Sequence, residues 1–207
     1  MSYSDFTSLD LLIPLGISQI TTVDKLIDFE PSAPSPFLTE ALKRFVPLAT
    51  AINTEKARSE YLIAPILSEI VTFNPNTSLF SGKNLTADPS LGLNGFVDFM
   101  ITANSDKLAI KAPVVTIIEA KNENINNGLA QCIATMYAAF LINRRDPNVG
   151  AKTVYGTVTT GQVWRFLALT PNLEVSIDLT DRYLTPIDEL LGLLNALAIS
   201  SPAEHLG

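Results

Sequence analysis

Apolar and polar positions alternate along the chain with two periods, one helical and one strand-like. In the first fifty residues "TTVDKLIDF" sets Thr21 three residues before Asp24, a capping-box spacing, and the proline-rich "SAPSPF" breaks the chain before "LTEALKRFVPLATAI" resumes a helical pattern. Residues 1–53 are therefore expected to form a helical extension packed on a main domain of residues 54–207. In "TEKARSEYLIAPILSEIVTF" the apolar residues Ala57, Tyr61, Ile63 or Ala64, Leu67 and Ile70 or Val71 recur at three- and four-residue steps. This predicts an amphipathic helix of about four or five turns. Its polar side carries Glu55, Arg58 and Glu60, and its interior Pro65 lacks a backbone donor and predicts a kink.

Three strand-like segments follow: "SLFSGKNLTAD", "GFVDFMITA" and "APVVTIIEAK". The middle one alternates Phe96, Asp98 and Met100 against Val97, Phe99 and Ile101, so Asp98 is the single charge in a strand apolar on both faces. The third is β-branched and apolar until it ends on Glu119 and Lys121, with Ala120 between them. After the turn-rich "NENINNG", "LAQCIATMYAAFLINRR" reads as a helix whose terminal Arg144 and Arg145 suit the negative end of its dipole. "KTVYGTVTTGQVWRFLALT" reads as a hairpin turning at Thr159 to Gln162, with Trp164 a core or interface residue and Arg165 a solvated or phosphate-facing charge. "LEVSIDL" alternates Leu173, Val175, Ile177 and Leu179 as an expected edge strand. "TPIDELLGLLNALAI" closes with a helix, Thr185 as N-cap, Pro186 at the first helical position and Asp188 completing a capping box. The order predicts an α/β domain with a mixed central sheet flanked by helices.

At 207 residues and 47% hydrophobic, the chain can bury one sizeable core. No uninterrupted apolar run reaches the ~18 residues of a membrane span. The N-terminal "MSYSDFTSLDLLIPLG" has no basic leader, so the expectation is a soluble, cytoplasmic protein without a membrane partner. A single cysteine, Cys132, and a single histidine, His205, exclude an internal disulfide and a Cys/His zinc cluster. A Ser-His-Asp triad or a histidine base would need His205 to fold back from the C-terminal tail. Chemistry by carboxylates and lysine is left. The net charge of −7 opposes unaided attraction to a polyanion, which a local basic face or self-association would offset.

In a strand, Glu119 and Lys121 point the same way, about 6 to 7 Å apart, and Ala120 faces the other side. If the strand at 96–101 pairs beside 114–121, Asp98 meets them. The plain reading is that these charges mark where a strand leaves the core. Against it stands Asp98, whose carboxylate would cost several kcal/mol if buried unpaired among Phe, Val, Met and Ile. Lys121, a cation or water must compensate it, and magnesium suits carboxylates without histidine.

A helix bearing glutamate, then "GFVDF", "IIEAK" and "GLAQCIATMYAA", in that order, resembles the PD-(D/E)XK nuclease superfamily, which includes restriction endonucleases and Holliday-junction resolvases. The likeness extends over roughly residues 54 to 169 and is similar in particular to the N-terminal nuclease domains of type I restriction motor subunits and to small stand-alone relatives. It implies a restriction-endonuclease-like core (α-β-β-β-α-β) and hydrolysis of phosphodiesters in nucleic acid, DNA first, with Mg²⁺ (or Mn²⁺). By the same resemblance Asp98 and Glu119 are the metal-binding acids, the backbone carbonyl of Ala120 is a further ligand, and Lys121 is the catalytic lysine. Gln131 matches the glutamine opening the next helix. Glu55 or Glu60 matches the helix glutamate, with Glu55 slightly preferred. Val97 stands where the family name has proline, which supplies no ligand. The net charge implies weak unaided affinity for nucleic acid, hence a homo-oligomer or a protein partner. The alternative is a catalytically silent member of the fold, an interaction or ligand-sensing module.

Overall fold

The computed structural model describes residues 1–199; His205 and the far end of the 54–207 span lie outside the described residues. After two short 3-10 turns, Tyr3–Asp5 and Leu9–Leu15, come β1 (Gln19–Val23) and α1 (Pro36–Ile52). A helical run follows, made of α2 (Glu55–Arg58), a π-helical turn (Ser59–Ile63) and α3 (Ala64–Phe73). The strands β2 (Ser78–Asn84), β3 (Phe96–Thr102) and β4 (Val114–Ala120) lead through a 3-10 turn, Ile125–Gly128, to α4 (Leu129–Arg145). The chain closes with β5 (Val154–Thr159), β6 (Val163–Leu169), β7 (Glu174–Asp178), β8 (Arg182–Tyr183) and α5 (Ile187–Ile199).

The strands form one mixed sheet in the order β1-β7-β6-β5-β4-β3-β2, with β8 paired to β6. β2, β3 and β4 are antiparallel neighbours, and β5 joins β4 in parallel after the α4 crossover. Two cores sandwich the sheet. On one face Met100, Ile117 and Val158 pack with α4 and the N-terminal 3-10 turns. On the other, Phe99, Ile118 and Ala120 pack with α3 and α5. Apolar residues on both faces of β3 and β4 follow from this double burial.

Asn143 of α4 ties the crossover helix to the sheet. Its side chain accepts from Val114 N and donates to Val114 O, both at 2.8 Å, at the start of β4. With the preceding turn, α4 makes a helical stretch of 21 residues, Ile125–Arg145, long and apolar enough by length and composition to cross a membrane. Here it is a core helix, with Cys132, Ile133, Met136 and Ala139 fully buried.

Four sequence expectations change. Thr21 does not start a helix: it lies in β1, paired with Ser176 of β7. The β-branched run Ile20–Val23 favours extended backbone, and parallel pairing with a distant strand satisfies it. Residues 1–53 are accordingly not purely helical. For the same reason β7 is not an edge strand, because β1 covers it. Pro65 does not simply kink one α-helix. The π-helical turn resets the hydrogen-bond register so that Pro65 falls in the first turn of α3, where its missing N–H costs little. Finally, α5 begins at Ile187, beyond Pro186. Leu184 N still donates to Gln162 O at 2.9 Å, so the chain is held as an extension of β8 until just before the helix.

Candidate functional site

The site is built where β3 and β4 part. Their last antiparallel pair at this end is Phe99 with Ile118. One step further, the Asp98 side chain replaces the backbone ladder: its Oδ2 accepts from Ala120 N at 2.8 Å. Glu119 is 2% exposed, and Lys121 Nζ lies 2.6 Å from its Oε1. Lys121 Nζ also donates to Gln131 Oε1 at 3.3 Å, which brings the first turns of α4 to the same spot. Ala120 itself faces the opposite core, as strand alternation requires. Asp98, Glu119, Lys121 and Gln131 therefore meet, and Ala120 contributes backbone between them.

The electrostatics are those of too many acids around one cation. Burial raises the pKa of Asp98, against the lowering effects of the Ala120 amide and Lys121. Burial, then the charge of Asp98, lifts Glu119 to about 8 despite Lys121. Burial pulls Lys121 down, but Glu119, Glu55 and Asp98 outweigh it and hold the ammonium above its ordinary value. The lysine thus keeps its proton at neutral pH, while the carboxylates compete for it. Burial and the charge of Glu119 push the nearby Cys132 thiol well up, making it an inert core residue.

A cleft of about 310 Å³ opens beside Asp98, between the α2 end of the helical run and β2, and both Glu55 and Glu60 line it. They differ in engagement. Glu60 is paired with Lys56 at 2.7 Å, whereas Glu55 adds its field to both Glu119 and Lys121. A larger apolar groove of about 460 Å³ lies between α1 and the start of α5, lined by Leu42, Val46 and Ile187, but it contains no carboxylate and lies away from this chemistry.

Three supports were not evident from the sequence. Gly82 sits on β2 between the pairs Ser81 with Phe99 and Lys83 with Val97, level with Asp98. Its φ of +59° needs glycine, and the space a Cβ would enter is open, so the cleft reaches Asp98 from the sheet edge. A lone glycine in a strand was its only sequence signal. Gly128 presses the entry to α4 onto the lysine: a Cβ there would lie 2.6 Å from Val158 Cγ1 and 3.1 Å from Lys121 Cε. Arg165, read as solvated or phosphate-facing, is instead paired through Nε and Nη2 with Asp181 at 2.8 and 2.9 Å. Its Nη1 donates to Asn126 Oδ1 at 2.8 Å, pinning the turn before α4. Trp164 is fully buried, as expected, with Nε1 donating to Gly161 O. Arg145 donates to Ala87 O, outside its own helix.

Two buried polar atoms near the β4 and β5 tips, Arg58 Nε and Asn122 Oδ1, have no hydrogen-bond partner among the described residues. Polar capacity there exceeds what the chain itself consumes. Among the described residues no three Asp, Glu, His or Cys side chains form a metal-binding group, so an ion held by Asp98 and Glu119 would complete its shell with backbone oxygen and water. No protein-family model matches the chain, and no curated protein matches it significantly.

Proposed function

We propose that the chain is a metal-dependent phosphodiester hydrolase, a nuclease acting on DNA with a PD-(D/E)XK-type site. The observation that carries this reading is the convergence of Asp98, Glu119 and Lys121 where β3 and β4 part, with the ammonium 2.6 Å from one carboxylate. The element order supports a restriction-endonuclease-like core: the helical run 55–73, β2, β3 and β4 as an antiparallel meander, α4 crossing over, and β5 parallel to β4.

The donor set fits Mg²⁺ (or Mn²⁺). It consists of hard carboxylate oxygens with no histidine, and the raised proton affinities of both acids mark a spot where added positive charge is stabilising. Asp98, Glu119 and the carbonyl of Ala120 would hold the ion. When bound, it polarises a phosphoryl oxygen and acidifies a bound water.

The remaining steps belong to side chains. Lys121 is protonated at neutral pH, so it acts as a donor, orienting the attacking water and stabilising charge that develops on the phosphate, and not as the base. Gln131 Oε1 fixes the lysine from α4. Glu55, on the cleft wall, orients water or adds to the field that retains the ion. The net charge of −7 gives weak long-range attraction to DNA, which favours an oligomer or a partner protein that supplies basic surface.

A second reading, a catalytically silent interaction or ligand-sensing module, draws on one feature: Lys121 already neutralises part of Glu119 without any ion. Calorimetry with Mg²⁺ or Mn²⁺ on the wild type and on Asp98→Ala separates the two. Heat of binding in the wild type that Asp98→Ala abolishes supports the nuclease; no heat in either supports the silent module.

A further inference from the structure

Phe96 opens β3 with its ring in water: it is 74% exposed, while Val97 and Phe99 on the same strand are buried. Isolated exposed apolar residues are ordinary, so position decides its meaning. Phe96 stands two residues before Asp98 on β3, beyond the Phe99–Ile118 pair at which β3 and β4 part. The ring is also carried by a paired strand, since Phe96 faces Asn84 of β2. An exposed aromatic ring is thus held on the strand that carries Asp98, two residues from it.

The surroundings restrict what such a ring can receive. The cleft of about 310 Å³ is nucleotide-sized and far too small for a duplex. Its wall carries Glu55 and Glu60, and its one lysine there, Lys56, is already paired with Glu60. Duplex binding rests on Lys and Arg along a continuous backbone track. Base stacking on an aromatic ring needs no such track and accepts any base.

We infer that Phe96 is a base-stacking platform and that the site takes single-stranded or locally unpaired nucleic acid, one base lying on Phe96 while its phosphate faces Lys121. This rests on the nuclease reading for the identity of the site, and names the substrate class that the site selects.

Fluorescence anisotropy in EDTA, where no cleavage occurs, tests it with three labelled probes: an oligothymidylate, an abasic oligomer of the same length, and the matching duplex. The wild type is expected to bind the oligothymidylate more tightly than either other probe. Phe96→Ala should weaken that binding by roughly 5- to 100-fold, to the abasic level, and leave abasic binding unchanged. Phe96→Trp should retain binding and show tryptophan quenching when the oligothymidylate is added, beyond any change seen in the wild type, whose single Trp164 is fully buried. Equal binding by wild type and Phe96→Ala, or tighter binding of the duplex, overturns the inference. So does a dimer that dissociates in Phe96→Ala without any change in oligonucleotide binding, which would assign the ring to a contact between copies. Mg²⁺-dependent cleavage scored on the same probes keeps the two readings apart. Cleavage indifferent to Phe96 sinks the stacking platform alone, and stacking without cleavage of any strand sinks the nuclease alone.

Discussion

Lys121 Nζ lies 2.6 Å from Glu119 Oε1, yet Glu119 retains a pKa of about 8. An ammonium at that distance ordinarily pulls a carboxylate down. Burial first, and then the neighbouring Asp98, outweigh it. The site is electrostatically incomplete as an ion pair.

One consequence is a pH dependence of the metal-free protein. Glu119 binds its proton more tightly when folded, about 8, than its unfolded value of 4.5, so between these values the native state holds more protons. Stability therefore falls as pH rises through that window, by at most about 1.4 kcal/mol per unit from Glu119 alone, and Asp98, also raised by burial, adds a decline of the same sign above 3.8. Lys121 contributes with the same sign only near and above 10.5, outside the window. Urea unfolding in EDTA across pH 5 to 8 should show the decline, and Glu119→Gln should make it shallower. A wild-type profile as flat as that of the variant contradicts the charge balance described.

Gly128→Ala tests how the lysine is aimed. The added methyl meets Val158 and the stem of Lys121, so both side chains must shift and the lysine is displaced from its present position. Overpacking should cost about 1 to 3 kcal/mol in stability. With Mg²⁺ and DNA, kcat should fall at least roughly tenfold while KM stays within about twofold, the pattern for a group that acts in the transition state. A change in KM alone would show that Gly128 does not position the lysine.

Asn143 anchors the start of the strand whose far end carries the site. Asn143→Ala leaves the buried N–H and C=O of Val114 without their partners. Chemical denaturation should show a loss of roughly 2 to 4 kcal/mol. A loss below about 0.5 kcal/mol would mean that the two hydrogen bonds do not support the packing of α4 on β4.

The legible part of this site was the part with an energetic anomaly. Asp98 inside an apolar strand and Glu119 with Lys121 at the tip of another had to be compensated, and the Ala120 amide and the Lys121 ammonium do so in part. Glu55 could be preferred only slightly over Glu60 because both occupy the polar side of one helix; in the structure both line the cleft, and Glu60 pairs with Lys56. What stayed hidden depends on partners remote in sequence. The Thr21–Asp24 spacing is compatible with a helix start, and only pairing with Ser176 and its neighbours makes it a strand. Gly128 reads as an ordinary turn glycine until Val158 and Lys121 are placed against it. Arg165 reads as a free charge until Asp181 and Asn126 close around it.

The most direct measurement is cleavage of plasmid, single-stranded and branched DNA, and of RNA, by the purified protein with Mg²⁺ or Mn²⁺, beside a Lys121→Ala control of unchanged secondary structure. The account predicts metal-dependent cleavage of at least one substrate by the wild type, reduced at least roughly a hundredfold in Lys121→Ala, as for loss of a group that stabilises transition-state charge. No cleavage by the wild type with either metal, or equal cleavage by Lys121→Ala, would contradict it.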